Sequence, residues 1–140
     1  MSLTQTQAKT LVEALKEAVR QDQFIWDADT RYDETFIAVE QDGVEFILTL
    51  NRNSFEIRLH LRTSVDNIGL CRIDAAPYRT NPDGTELRNT PHMHIYREGY
   101  GDKWAEPIDW YDTNNPQTTL ERFLDEINAR FPNGIQTTLL

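Results

Sequence analysis

The sequence predicts a single α+β domain over residues 1–140, with an antiparallel sheet of about five strands and two helices packed on one face. Two observations predict this fold class. Apolar residues recur at helical spacing near both ends of the chain, whereas they alternate with polar residues through the middle. Clusters of glycine, asparagine and proline separate the alternating runs, as turns separate strands.

The first helix is predicted over about residues 4 to 21. Thr4 followed by Gln7 has the spacing of a capping box, in which each side chain binds the other residue's backbone. The apolar positions that follow have helical spacing; they are Leu11, Val12, Leu15 and Val19. Residues 24–32 are expected to form a connecting loop or an irregular edge strand.

Four strands are predicted next, at about residues 36–40, 44–51, 55–62 and 68–75. Asp42-Gly43 indicates a hairpin between the first two, because glycine accepts a positive φ. The third strand has the most regular alternation, which predicts one buried face and one charged, solvated face. Cys71, in the fourth strand, is expected to be a small core residue and not a nucleophile.

A long connection, about residues 76–90, leads to a strand at residues 92–96. Its Asn81-Pro82-Asp83-Gly84 segment is typical of a tight turn, and connections of this length are often functional. The second helix begins at Asn115-Pro116, carries an apolar stripe as far as Phe131 and is expected to end at Pro132.

Charge and composition narrow the classes of function. A net charge of -9 argues against a general nucleic-acid-binding protein, which neutralises phosphates with a basic face. Residues 58 to 103 are nevertheless close to neutral and rich in arginine, so a local anion site is permitted there. A single cysteine and the lack of a long apolar run favour a cytoplasmic protein without a membrane-spanning helix.

The segment from His92 to Trp104 has the highest density of reactive side chains. Side chains two residues apart on a strand point the same way, so His92, His94 and Tyr96 are expected to share a face. Two imidazoles in this arrangement suit a metal site or acid/base chemistry, or they simply pack on a half-exposed sheet face. A metal would need a third ligand, for which the nominated residues are His60, Asp74 and Glu98. No metal or other cofactor is assigned from the sequence.

The acid/base hypothesis describes a metal-independent ribonuclease. It needs a histidine that titrates near neutral pH, a cation for the developing negative charge and aromatic side chains that stack on bases. The candidate catalytic residues are His92, His94, Arg97 and Lys103. The candidate substrate-binding residues are Arg79, Tyr96, Tyr100 and Trp104.

Two segments resemble the signature of a family of small bacterial and prophage-associated proteins that is catalogued as a domain of unknown function. They are Asn-Pro-Asp-Gly-Thr at residues 81–85 and Pro-His-Met-His-Ile-Tyr-Arg-Glu-Gly-Tyr-Gly-Asp-Lys-Trp-Ala at residues 91–105. Arg72-Ile73-Asp74 also resembles that family's strand, so the resemblance covers about residues 68–107. It implies carriage on mobile elements and no established activity. A weaker similarity, based on histidines after the Asn-Pro-Asp-Gly loop, points to small toxins of toxin–antitoxin pairs, some of which cut RNA.

Two hypotheses of different class therefore stand. In the first, the protein is an RNase-like toxin that uses the segment around His92 and His94. In the second, it is a non-catalytic module that binds a host or cognate protein, as an inhibitor or antitoxin does, through its acidic surface and exposed aromatics. Substitution of the histidines separates them, because only the enzyme requires those side chains.

Overall fold

The structure, a computed structural model, describes residues 2–138. The helices are α1 (Gln5–Glu13) and α2 (Pro116–Glu126). The strands, in chain order, are β1 (Lys16–Ala18), β2 (Phe24–Trp26), β3 (Tyr32–Ala38), β4 (Glu45–Arg52), β5 (Ile57–Thr63), β6 (Gly69–Asp74), β7 (Tyr78–Thr80), β8 (Glu86–Arg88), β9 (His92–Ile95), β10 (Ala105–Pro107), β11 (Ala129–Arg130) and β12 (Ile135–Thr137).

The main sheet has eight strands in the order β10-β9-β6-β5-β4-β3-β1-β11. Neighbouring strands are antiparallel except β1 and β11, which are parallel. Strands β2 and β12 form a small parallel pair, and β7 and β8 form a hairpin. The α+β class is confirmed, but the expected count of about five strands is wrong. The missed strands of the main sheet have two or three residues each, too few for an alternating pattern to be recognised.

Helix α1 begins as the capping box predicts but ends earlier than expected. The Thr4 hydroxyl accepts from the Gln7 backbone N–H at 3.1 Å, and the Gln7 side chain accepts from the Thr4 N–H at 2.9 Å. The helix ends at Glu13 because the next residues form β1, which pairs with β3. The prediction of a helix to residue 21 is therefore wrong. Val19, expected on the apolar stripe, is 46% exposed.

Helix α2 begins at Pro116, as predicted, and is also shorter than its apolar pattern suggested. It ends at Glu126, after which Asn128 has a positive φ of 53° and turns the chain into β11. Phe131 lies beyond the helix and stacks on Phe24, with ring centroids 4.7 Å apart. The stripe that predicted a longer helix therefore combines helical residues with Ile127 and Phe131, two buried residues beyond the helix.

The core lies against one face of the central strands. It includes Leu48 and Leu50 of β4 and Leu59 and Leu61 of β5, and helical residues such as Phe123 belong to the same cluster. Helix α1 contacts β6 and α2 contacts β5, while the placement of both helices on one face stays a prediction. Within residues 2–138, neither helix is long and apolar enough to cross a membrane. The other face of the central strands is polar and carries the candidate site.

Candidate functional site

Strand register places four polar side chains in one row across the polar face. Thr49 of β4 pairs with His60 of β5, His60 pairs with Arg72 of β6, and Arg72 pairs with His94 of β9. Asp74 and His92 form the neighbouring pair on the same two strands as Arg72 and His94. His92 and His94 therefore share a face, as predicted, and the pairing adds partners that lie 18 or more residues away along the chain. Tyr96, expected on the same face, instead belongs to the core and lines a depression with Met93 and Ile95.

The connection before β9 contains the hairpin β7–β8, which is tied to the segment that follows β9. The predicted turn closes with a hydrogen bond from Gly84 N–H to Asn81 O at 2.9 Å, and Gly84 adopts a φ of 88°. The Asn81 side chain binds both the N–H and the carbonyl of Ala105, and Arg79 donates to the Lys103 carbonyl. The contacts of Asn81 and Arg79 with Ala105 and Lys103 tie the hairpin to the segment that follows β9.

His92 and His94 are almost completely buried, with side chains about 1% exposed. Nδ1 of His92 lies 3.0 Å from the Thr90 carbonyl, and Nδ1 of His94 lies 2.9 Å from the Asp102 carbonyl. A carbonyl only accepts hydrogen bonds, so each Nδ1 carries the proton and donates. The Arg72 guanidinium, 3.4 Å from Nδ1 of His94, can only donate and is not a hydrogen-bond partner of that protonated atom.

The two Nε2 atoms face the Asp74 carboxylate. Nε2 of His92 lies 2.8 Å from Oδ1 of Asp74, and Nε2 of His94 lies 3.6 Å from Oδ2. Burial raises the pKa of Asp74, but its contacts with His94 and with the Ala76 N–H outweigh this effect. The pKa of this carboxyl is therefore well below its ordinary value, and Asp74 is anionic at neutral pH.

A second cluster lies beside the first and joins His60, Asp102 and Arg72. Nε2 of His60 lies 3.6 Å, and Nε of Arg72 3.8 Å, from Oδ2 of Asp102. Interaction with His60 is the largest cause that lowers the pKa of Asp102, to about 2. Gly69 makes room for the cluster, since a Cβ there would lie 2.6 Å from Oδ2 of Asp102. The carboxylate thus holds both basic side chains in place from the loop after β9.

An open groove runs along the same face, with a volume of about 420 Å³. Its lining includes His60 and Asp74, so it connects the two clusters. Four arginines also line it; they are Arg31, Arg58, Arg62 and Arg72. Guanidinium groups bind phosphate and carboxylate oxygens in a two-pronged geometry, and this groove is where the arginine-rich middle of the sequence brings several of them together.

Three of the predicted site residues form a separate cluster. The Arg97 guanidinium lies 3.8 Å from the centre of the Trp104 ring, which also packs edge-on against Tyr100 at 5.5 Å. Trp104 and Arg97 line a small depression with Met93 and Ile95. Those two strand residues point away from His92 and His94 across β9, so the cluster does not join the histidines.

The remaining predicted residues have structural contacts. Tyr96 is 4% exposed, and its hydroxyl binds the Leu3 backbone by accepting from the N–H at 2.8 Å and donating to the carbonyl at 2.7 Å. The Lys103 side chain is exposed, while its carbonyl accepts from Arg79. Glu98, nominated as a metal ligand, accepts from the Gln5 N–H at 2.7 Å. Tyr96 and Glu98 therefore anchor the start of α1.

Sequence reasoning did not select Arg58, Arg62 or Asp102. A signal for Arg58 and Arg62 was present, because both lie on the same face of β5 as His60 and alternate with apolar residues. That pattern predicted a solvated face, and it gave no reason to expect a groove. Asp102 had no comparable signal, since its contacts with His60 and Arg72 depend on how the loop after β9 folds back.

The fold and the site together define a class: a small α+β protein whose mostly antiparallel sheet has one polar face, with buried histidines beside a groove rich in arginine. The chain belongs to a family of unknown function, DUF6978, whose model matches residues 3–129. This confirms the expected membership of a domain-of-unknown-function family and extends it well beyond residues 68–107. No curated protein and no solved structure gives a significant match.

Proposed function

We propose that the groove binds a phosphate-bearing ligand and that single-stranded RNA supplies it. The observation that supports this proposal is the presence of four arginines around one open groove in a chain of net charge -9. Four carboxylates offset these charges: Glu56 and Asp74 line the groove, while Asp33 and Asp102 lie beside Arg62 and Arg72. A cluster of oriented guanidinium groups on an acidic protein favours a specific anion over general binding to nucleic acid.

The guanidinium groups are held before a ligand arrives. Arg62 donates to the Thr49 hydroxyl at 2.6 Å and lies 3.9 Å from Asp33. Arg72 lies 3.8 Å from Asp102, and its side chain is 34% exposed. Side chains that are already oriented lose less conformational entropy on binding, which favours affinity for a ligand of matching geometry.

On this surface the ribonuclease hypothesis needs a different catalytic histidine. His92 and His94 are about 1% exposed, so direct contact with a phosphodiester would require neighbouring segments to move. His60 lines the groove and is supported by Asp102, which makes it the better candidate for the base that accepts the 2′-hydroxyl proton. Arg62, two residues further along β5, and Arg72, opposite His60 on β6, would then stabilise the charge that develops on the phosphate oxygens.

RNA binding is tested by fluorescence anisotropy with a labelled single-stranded RNA of mixed sequence, measured at several salt concentrations. We expect an Arg62→Gln, Arg72→Gln double variant to bind at least about tenfold more weakly. The slope of log affinity against log salt should become shallower by about 0.7 for each phosphate that the variant no longer neutralises.

The matched control is Arg122→Gln, Arg130→Gln, which removes the same charge from surface ion pairs outside the groove. It should bind RNA nearly as well as the wild-type protein. Equal weakening in both double variants would mean that only net charge matters, and that result would contradict a groove-specific site.

Cleavage is tested on the same RNA by gel electrophoresis, with and without a chelator. We expect His60→Ala to abolish any cleavage while the groove still binds RNA. If the wild-type protein binds RNA without cutting it, the protein is a binding protein and the enzymatic form of the proposal is wrong. If cleavage survives in His60→Ala and disappears in a folded His92→Ala, His94→Ala variant, the buried pair is the catalytic one.

A second candidate function is the binding of a host or cognate protein, and specific exposed side chains favour it. Phe55 is 89% exposed and Tyr100 is 46% exposed, on a chain whose net charge would attract a basic partner. Truncation of Phe55 or Tyr100 to alanine should then weaken capture of that partner, whereas Arg62→Gln, Arg72→Gln should not.

A further inference from the structure

Asp74 and the two buried histidines bring three potential ligand atoms close together. With both Nδ1 protons donated to carbonyls, each imidazole in its neutral form presents a lone pair on Nε2. Nε2 of His92 is buried and has no hydrogen-bond partner within residues 2–138, although an oxygen of the Asp74 carboxylate lies 2.8 Å away. Two acceptors at this distance repel each other unless a positive charge lies between them.

Protonation of the histidines would relieve this repulsion only in part. One proton on His92 would resolve the contact with Oδ1 of Asp74 but leave Nε2 of His94 facing Oδ2. Protons on both rings would bury two imidazolium groups against one carboxylate, with ring centroids 5.0 Å apart. Burial of two like charges beside a single counter-charge is unfavourable. A single divalent cation, in contrast, can bond to all three acceptor atoms at once.

The donor set and its support suit a transition-metal ion. One ligand atom each from Asp74, His92 and His94 lies within 4.8 Å of the others. Zinc bonds to imidazole nitrogen and carboxylate oxygen at about 2.0–2.2 Å in a tetrahedral arrangement, so two ligand atoms on one ion lie about 3.4 Å apart. The two distances from Asp74 to the histidines, 2.8 and 3.6 Å, lie on either side of that value. Histidines that ligate metals commonly donate the other ring N–H to a backbone carbonyl, as both do here.

Charge and access are compatible with an ion at this position. The nearest guanidinium, Arg72, is offset by Asp102, which lies 3.8 Å from it. The Asp74 side chain is 26% exposed and lines the groove, so an ion can reach the carboxylate from solvent. We propose that Asp74, His92 and His94 bind one divalent transition-metal ion of the Zn²⁺ type. This proposal does not depend on RNA binding.

The first test uses wild-type protein purified without a histidine tag and stripped with a chelator. We expect one equivalent of Zn²⁺ to bind in calorimetry, and one equivalent of Co²⁺ to give visible absorption that Zn²⁺ then removes. In imidazole ¹H–¹⁵N spectra, Zn²⁺ should shift the Nε2 resonances of His92 and His94 and leave those of His60 nearly unchanged. Absence of stoichiometric binding, or a shift confined to His60, would overturn the proposal.

Matched variants test the three ligands separately. We expect His92→Ala to lower Zn²⁺ affinity by at least about 100-fold and Asp74→Asn by at least about tenfold. His60→Ala removes the third histidine of the chain and Glu98→Gln removes another carboxylate, so both should retain wild-type affinity. Circular dichroism checks that each variant is folded. If His92→Ala does not fold, Asp74→Asn at the partly exposed position decides, and wild-type affinity in that variant would overturn the proposal.

Discussion

The Asn81 side chain forms two hydrogen bonds with the backbone of Ala105. Its Oδ1 accepts from the Ala105 N–H at 2.9 Å, and its Nδ2 donates to the Ala105 carbonyl at 2.8 Å. Asn81 is 6% exposed and belongs to the turn of hairpin β7–β8, whereas Ala105 begins β10. This pair therefore fixes the hairpin to the edge strand of the sheet.

We expect Asn81→Ala to lower the free energy of unfolding by about 1–3 kcal/mol, because both backbone groups of Ala105 would then have no buried partner. Chemical denaturation measures the change, and amide hydrogen exchange should quicken at Ala105. Asn133→Ala is the control, since Asn133 also donates to backbone carbonyls but is exposed, so water can replace it. An equal cost in the two variants would contradict the role assigned to the buried pair.

Lys16 joins the ends of both helices. Its Nζ donates to the carbonyls of Val12, Ala14 and Ile127 at 2.7 to 2.8 Å. Lys16→Met keeps the apolar part of the side chain and leaves three carbonyls without this donor, so we expect a decrease of about 2–4 kcal/mol in the free energy of unfolding. Chemical denaturation at pH 7 checks this value. A decrease below about 0.5 kcal/mol would mean that water or a shifted backbone replaces the ammonium group.

The same residue predicts a pH dependence. Burial lowers the pKa of Lys16 from 10.5 to about 8. Between these values the unfolded chain holds a proton that the folded protein has released, so the contribution of Lys16 to stability rises with pH. The free energy of unfolding of the wild type relative to Lys16→Met should therefore increase by up to about 3 kcal/mol from pH 8 to 10.5. The same comparison with exposed Lys9→Met should be flat, and a falling difference for Lys16 would reverse the assigned direction.

Tyr96 tests whether a predicted substrate-binding residue is instead structural. Its hydroxyl binds the backbone of Leu3, just before α1. We expect Tyr96→Phe to lower the free energy of unfolding by about 1–2 kcal/mol and to leave RNA affinity unchanged. Tyr100→Phe, at an exposed position, should change stability little. A marked fall in RNA affinity in Tyr96→Phe, with stability intact, would restore Tyr96 to the site.

The accuracy of sequence reasoning depended on how far apart the interacting residues lie. Thr4 and Gln7 interact across three residues, and the turn at Asn81 closes within four, so both were predicted. The end of α1 depends on Lys16, whose contact with Ile127 spans 111 residues, and no local pattern shows it. The β1 and β11 strands are defined by pairing, since their few residues do not alternate detectably.

The candidate site likewise combines features that the local sequence predicts with features that depend on distant residues. The shared face of His92 and His94 follows from the strand period, and the prediction is confirmed. Their surroundings include the Asp102 carbonyl, which binds His94 from a loop that sequence spacing does not place. Asp74 was one of three nominated metal ligands, but only strand register selects it over Glu98, because register pairs it with His92.

The most direct test of the proposed function is an NMR titration of ¹⁵N-labelled protein with a short single-stranded RNA of mixed sequence. It compares the groove with the cluster of Arg97, Tyr100 and Trp104 within one wild-type molecule. Misfolding of a variant therefore cannot explain the result. The account predicts the largest backbone and side-chain shifts in the groove, at Thr49, His60, Arg62 and Arg72. Shifts concentrated instead at Arg97, Tyr100 and Trp104, or no shifts at millimolar RNA, would contradict it.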